Sequence, residues 1–230
     1  NFIQIAATLL LIKSKSLKQL KFWVNGVDVP SKKFDLAAER LRLGVSPQTV
    51  LLISVSRLDN WKRVDRNIQI AMELEKLKLD FKYLIVGEGS ERERLESQAL
   101  TSSSSGKIEF LGAINHSDVE RMMACGDIFL SMYDLSNVGN PLLEAIRAEK
   151  IIVTLDNGDT GKWIKHKQNG LIYDPLNLQP HIIAEDIISV WSNAELRNSL
   201  YMGIAKLGHA KLWTWDDRLN TEIKNVLEII

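Results

Sequence analysis

The stretch Arg57-Leu-Asp-Asn-Trp-Lys62-Arg63 carries three cations in seven residues and no glycine. It directly follows the apolar run Thr49 to Ser56, and cations so grouped suit an anion such as a diphosphate, with Arg57 and Lys62 as charge-assisted donors. A solvated basic loop has the same composition, and the loop by itself does not choose between the two. A second stretch, Asp134-Leu-Ser-Asn-Val-Gly139-Asn-Pro-Leu-Leu-Glu144-Ala, has the chemistry of a helix start. Asn140 suits the N-cap, Pro141 suits the first helical position, and Gly139 lets another group approach the backbone. Amides of the Asn140–Leu142 turn, assisted by the helix dipole, would favour a phosphate there. Glu144, one turn in, offers a carboxylate that can accept two hydrogen bonds from a ribose diol; a plain cap with a dipole-compensating glutamate reads the same way. Two further turns, Gly87-Glu88-Gly89 and Gly112-Ala-Ile114-Asn-His116, lead from apolar runs into helical stretches, and the second could offer main-chain groups to a base.

These turns need elements that bring them together. Near-continuous apolar runs over 49–56, 81–86, 107–111, 127–132 and 150–155, with a short sixth over 170–173, alternate with helical patterns over 64–79, 91–100 and 141–148. Ser117-Asp-Val-Glu120 has the form of a capping box for a further helix running to Cys125. Buried strands alternating with helices indicate a parallel sheet covered on both faces. The fold class expected is α/β, a Rossmann-like doubly wound parallel sheet with helices on both faces and a C-terminal helical extension. In such sheets ligands bind beyond the carboxyl ends of the strands, where all four turns lie. The apolar window Ile3 to Ile12 reads as a buried helix, Lys21 to Val24 as strand-like, and Thr101 to Gly106 as a flexible surface turn.

Other chemistries are disfavoured. With 230 residues, Lys+Arg 29 against Asp+Glu 29, the chain has no net charge with which to bind nucleic acid generally. Gly-x-Gly-x-x-Gly and Gly-Lys-Ser/Thr are absent, so a phosphate site here would use side chains rather than a glycine-rich backbone loop. Cys125 is the single cysteine and reads as a buried thiol at a helix end. His116, His166, His181 and His209 are too widely spaced to pair on a metal, so no metal site is expected. No apolar stretch approaches the roughly 20 residues of a spanning helix. Trp213 and Trp215 read as packing residues, while Trp61 sits inside the basic loop.

Taken in order, Val55-Ser-Arg-Leu58 with Lys62, Ile85-Val-Gly-Glu-Gly89, Phe110-Leu-Gly112 and Gly139-Asn-Pro-Leu-Leu-Glu-Ala145 resemble the donor-binding domain of the retaining family-four glycosyltransferases. Asn169-Gly-Leu-Ile-Tyr173 resembles the family's following strand, and Asn25-Gly-Val-Asp28 resembles the segment joining its two Rossmann-like domains. The resemblance implies one half of a GT-B fold, acting on a nucleotide-diphosphate sugar such as a UDP- or GDP-sugar. Transfer would proceed with retention, and the partner acceptor domain, amino-terminal in the family, would lie outside this chain. It implies that Arg57 and Lys62 bind the donor diphosphate without a metal or other cofactor, and that Glu144 holds the ribose. It also implies donor contacts from Gly87, Glu88, Gly139, Asn140, Pro141 and Leu142, and base contacts near Ile114. Its usual second glutamate, eight positions before Glu144, is replaced by Ser136, with Asp134 the nearest carboxylate. Ser56 and Glu149 stand where the family usually has glycine.

The organisation expected is an N-terminal flank and linker remnant over 1–33, the nucleotide-sugar-binding domain over 34–177, and C-terminal helices over 178–230. Starting at Asn1 rather than Met, the chain reads as a fragment or processed product. A cytoplasmic location is expected, with peripheral membrane association through a lipid or polysaccharide acceptor. Two alternatives stay open: a catalytically silent nucleotide-binding module of the same fold, favoured by Ser136, and a sugar-nucleotide epimerase-like protein.

Overall fold

A computed structural model of the chain describes residues 24–30, 34–101, 106–135 and 138–227. The helix expected over Ile3–Ile12, most of the strand-like segment at Lys21–Val24, the serine turn at 102–105 and Ser136 lie outside the described residues. Those residues belong to two compact units, one spanning Val29–Leu212 and the other joining the segment up to Asp28 to residues from Trp213 onward.

The larger unit is a six-stranded sheet of β1 (Val50–Val55), β2 (Phe81–Val86), β3 (Ile108–Gly112), β4 (Ile128–Ser131), β5 (Ile151–Leu155) and β6 (Leu171–Tyr173). Every pairing is parallel and the order is β3-β2-β1-β4-β5-β6. This is the doubly wound arrangement expected from the alternating pattern, and its strand order reverses direction between β1 and β4. Leu52 and Ile53 of β1 register against Ile128 and Phe129 of β4, so residues more than seventy positions apart lie side by side at that switch point.

The strands are mostly apolar because both faces are covered, with Lys82 of β2 and Glu109 of β3 the charged exceptions, paired to each other. Helices α1 (Leu36–Arg42), α2 (Val64–Lys76), α3 (Arg92–Leu100), α4 (His116–Cys125), α5 (Asn140–Arg147), α6 (Thr160–Trp163), α7 (Pro180–Ser192) and α8 (Ala194–Lys211) complete this unit. One core joins β-strand residues Leu52, Tyr83, Ile85, Leu130 and Val153 to Ile68 and Leu74 of α2 and Ile187 of α7. Below the switch point, buried Ser54 donates to the Leu130 carbonyl (2.8 Å) and lies 2.8 Å from the Tyr83 hydroxyl. Asn67 of α2 donates to the same Ser54 oxygen at 3.0 Å, so one polar knot ties β1, β2, β4 and α2 together.

The opposite, N-terminal edge is held by Arg40, which donates to the carbonyls of Cys125 (2.9 Å) and Thr49 (2.7 Å) and pairs with Asp127 at 3.0 Å. Asp127 also accepts the Leu51 amide at 2.7 Å. Cys125, the last residue of α4, is buried, and burial pushes its thiol up.

Two caps differ from expectation. The N-cap of α4 is Asn115, whose side chain accepts the Asp118 amide at 2.9 Å. Ser117 lies inside the helix and donates to Asn115 instead, so no capping box forms between Ser117 and Glu120. An Asx side chain preceding the serine captured the orphan amide first. The N-cap of α5 is Gly139, which leaves Asn140 as the first helical residue. Helices α1 and α6 had no counterpart in the sequence reading; α1 has no fully buried residue and α6 is only four residues long, so neither carries a readable apolar period.

In the smaller unit, helix α9 (Trp215–Leu227) receives the segment Val24–Asp28 at its start. The Val27 amide donates to the Trp213 carbonyl (2.9 Å), the Trp213 indole to the Val24 carbonyl (3.2 Å), and the Trp215 amide to Asp28 (3.0 Å). A Cβ on Gly26 would stand 2.5 Å from the Trp215 backbone, so only glycine admits this approach. Trp213 thus packs through its indole as expected, whereas the Trp215 side chain is exposed and contributes its backbone to this contact.

Candidate functional site

Carboxyl ends of β1, β2 and β3 are laced together by their loops. Ser56 donates to Val86 (3.0 Å), Leu58 to Glu88 (2.8 Å) and Gly87 to Gly112 (2.8 Å) through backbone amides. Gly87, at φ +135°, passes so close that a Cβ would lie 1.8 Å from the Ser56 carbonyl. The turn Gly87–Gly89 therefore serves first as close-packed rim. Glu88 spends its carbonyl on Leu58, and its exposed carboxylate pairs with Arg92. Ile114 is half-buried just before α4.

The β1 loop continues as one 3-10 turn, Asn60–Lys62, then Arg63 takes the left-handed conformation (φ +47°) to start α2. Its cations have three different fates. The Arg57 side chain is 76% exposed and pairs with Asp59. Arg63 bonds Asp65 (3.0 Å) and reaches Asp134 (3.3 Å), while Arg66 pairs with Asp134 at 2.7 Å. Lys62 has no carboxylate partner among the described residues; its ammonium lies 3.9 Å from the Trp61 ring centre and 4.1 Å from that of Tyr133. Burial pushes the Lys62 ammonium below its ordinary value and Arg57 adds to this, while Asp59 opposes it. Arg57 and Lys62 are thus close enough to repel, a cation pair whose charge an anion would relieve.

The β4 loop faces them across the switch point. Tyr133 is buried, with its hydroxyl donating to the Val55 carbonyl at 3.1 Å, and burial pushes its phenol up to about 12. Asn157, from the β5 loop, holds the Tyr133 carbonyl at 2.6 Å, and the Asp134 amide donates to the Trp61 carbonyl at 3.1 Å. Asp134, the carboxylate nearest to Ser136, is clamped by Arg63 and Arg66 and serves as a loop anchor. Val138 is buried at φ +54°, a strained setting for a β-branched residue.

Gly139 is exposed, and a Cβ there would meet nothing nearer than Pro141 at 4.0 Å. Its carbonyl accepts the Leu142 (3.1 Å) and Leu143 (3.2 Å) amides, and Pro141 has none to offer. Leu142 is buried beneath, and its amide is spent on Gly139, so the exposed part of the turn is Gly139 and Asn140.

Glu144 is half-buried on α5, and its carboxylate has neither hydrogen-bond donor nor cation paired with it among the described residues. Burial pushes its carboxyl above the ordinary value, His116 draws it down and Glu120 raises it further. His116 and Glu120, 3.5 Å apart on α4, therefore stand beside it. The sheet thus gathers Arg57, Lys62, the Gly139–Leu142 turn and Glu144 along the carboxyl ends of β1 and β4, with the β3 loop and the start of α4 flanking Glu144. Tyr133, Arg66 and Asn157 were missed: Tyr133 ends an apolar run that reads as core, and only the β1–β4 pairing reveals which lysine it touches. Asn169 turns out structural, accepting the Lys165 amide (2.6 Å) and donating to the Trp163 carbonyl (3.0 Å).

The family model for glycosyl transferases group 1 matches residues 37–205. The chain belongs to this family. Among its relatives are an uncharacterised glycosyltransferase of Methanocaldococcus jannaschii, 27% identical over 94% of this chain and 58% of that protein, and the 2-deoxystreptamine N-acetyl-D-glucosaminyltransferase of Niallia circulans, 24% identical over 66% of this chain and 38% of that one. The chain therefore spans about half or less of the length of these curated relatives. In fold it is similar to Anabaena HepE, solved with UDP and glucose (TM-score 0.79, 19% identity, 99% of this chain and 61% of that one). It is similar also to the C-terminal domain of LpcC, a group 1 glycosyltransferase of Francisella tularensis (TM-score 0.70, 20% identity, 81% of this chain and 98% of that one). The Rossmann-like fold of a GT-B half, expected from the sequence, is what these neighbours share. Among the described residues no helix is long and apolar enough to cross a membrane.

Proposed function

We propose that this chain is the donor-binding half of a glycosyltransferase that takes a nucleotide-diphosphate sugar and transfers its glycosyl group with retention. The observation that carries this is the Arg57–Lys62 cation pair, set at the sheet's switch point across from the Gly139–Leu142 turn, with an unpaired carboxylate on the helix behind it. Charge develops on the leaving diphosphate as the glycosidic bond breaks. Two cations preorganised there stabilise it, the electrostatic task a divalent ion performs in other transferases, so the proposal requires no metal. Glu144 accepts both ribose hydroxyls, which supplies the partners that burial denies it. The Gly139–Asn140 end of the turn lies toward the phosphates, because Pro141 has no amide and Leu142 has spent its own on Gly139, and the β3 loop at Ile114 lies against the base. UDP in the HepE structure supports a nucleotide-diphosphate donor. The acceptor is contributed by a further domain, in keeping with the fraction of its relatives that the chain spans. A cytoplasmic location, next to a lipid or polysaccharide acceptor, is part of the same proposal.

Calorimetric titration with UDP, GDP and ADP tests the site directly. One nucleotide is expected to bind, and both Arg57→Ala and Glu144→Ala are expected to weaken it at least about ten-fold, the loss of one charge-assisted contact. Unchanged affinity in both variants would remove the assignment. A second reading, binding without transfer, draws on Asp134: held by two arginines, it does not replace the glutamate that Ser136 lacks. Donor turnover by a protein containing the acceptor domain separates the two.

A further inference from the structure

We infer that Trp61 and Tyr133 form an aromatic clamp that holds the Lys62 ammonium ready for a diphosphate, which makes Trp61 a positioning residue; the inference rests on the donor-site reading above. The rings stand 6.3 Å apart with their planes at 68°, and the ammonium sits about 4 Å from both centres. A cation over two aromatic faces is held by their quadrupoles. Such a hold leaves the ammonium without a carboxylate partner among the described residues, so phosphate oxygens can recruit it without displacing one.

The surroundings keep competitors away. Asp59 is engaged by Arg57, Asp65 by Arg63, and Asp134 by both Arg63 and Arg66. The Tyr133 ring is anchored directly, and Trp61 through its backbone. Tyr133 is fastened through its hydroxyl to Val55 and through its carbonyl to Asn157, while the Trp61 carbonyl accepts the Asp134 amide. The burial that pushes the Lys62 ammonium below its ordinary value accompanies this enclosure. Trp61 nevertheless remains 41% exposed, so shortening it opens no core cavity.

Two measurements test the clamp. In protein carrying labelled lysine, ring currents are expected to shift one ε-methylene signal strongly upfield, and the signal should vanish in Lys62→Arg and move part of the way back in Trp61→Ala, where Tyr133 remains. Absence of any shifted lysine signal overturns the clamp, whatever the protein binds. Titration then compares whichever of UDP, GDP or ADP binds with its monophosphate. Trp61→Ala is expected to lower diphosphate affinity about ten-fold and monophosphate affinity far less, with Trp61→Phe within about three-fold of the parent. Equal losses for both ligands, or no rescue by phenylalanine, would show a merely structural tryptophan. If the shifted signal is present and the parent binds none of the three, the donor-site reading fails and the positioning role falls with it.

Discussion

Glu144 is poised between stability and function, and replacing it with glutamine separates the two. Its carboxylate is half-buried, pairs with no donor or cation among the described residues, and is raised above its ordinary value chiefly by burial. A carboxyl raised on folding stabilises the fold while protonated, so its contribution is complete below the unfolded value near about 4.3. That contribution is lost as pH rises through the higher folded value, because the unfolded chain then ionises more readily. At neutral pH the ligand-free protein therefore carries an ionised, poorly solvated carboxylate. Leaving a buried polar group without a partner costs about 1–3 kcal/mol, and partial exposure puts Glu144 near the lower end, at about 1 kcal/mol. Glu144→Gln keeps the shape and removes the charge. It should raise the melting temperature of the ligand-free protein by about 2–4 °C at pH 7.5, and the gain should fade towards pH 4. Calorimetric melts at several pH values follow this directly, and a nucleotide titration on the same samples should show binding weakened in the variant. A variant equally or less stable at every pH would refute the claim that burial strains this carboxylate.

Two other changes probe the scaffold. Glu149 closes α5 at φ +57°, with the Lys150 amide on the Ala145 carbonyl at 2.9 Å, so Glu149→Gly should stabilise the protein by about 1 kcal/mol in urea unfolding. A destabilised variant would mean that the side chain does something the backbone geometry does not show. Arg40→Met removes four hydrogen bonds, to Cys125, Ser46, Thr49 and Asp127, and leaves Asp127 without its cation, which should cost about 3 kcal/mol in the same assay while nucleotide affinity is kept. A loss under about 1 kcal/mol would mean that the edge is held by other contacts.

Much of this protein is legible along its chain. Five apolar runs, the first four each followed by a helical period, determined the strands to within a residue or two, and the alternation determined a parallel sheet covered on both faces. Because parallel strands all end on one side, the loops that follow them had to share a rim, and those loops marked Arg57, Lys62, Gly139 and Glu144 as candidates whose roles came from the family resemblance. Two caps came out differently because an asparagine or glycine just upstream took the capping position, a local competition that residue types do not rank.

Only the tertiary structure sorted the cations. Arg57, Lys62 and Arg63 look equivalent in a seven-residue window, yet one lies on Asp59, one between two rings, and one in a carboxylate clamp. Two of those settings depend on Tyr133 and Asp134, about seventy residues further on, which reach the β1 loop because β4 is its neighbour in the sheet. Hydrophobic periodicity records which face of an element is buried, and it carries no record of which distant element does the burying; charge partnership is decided there.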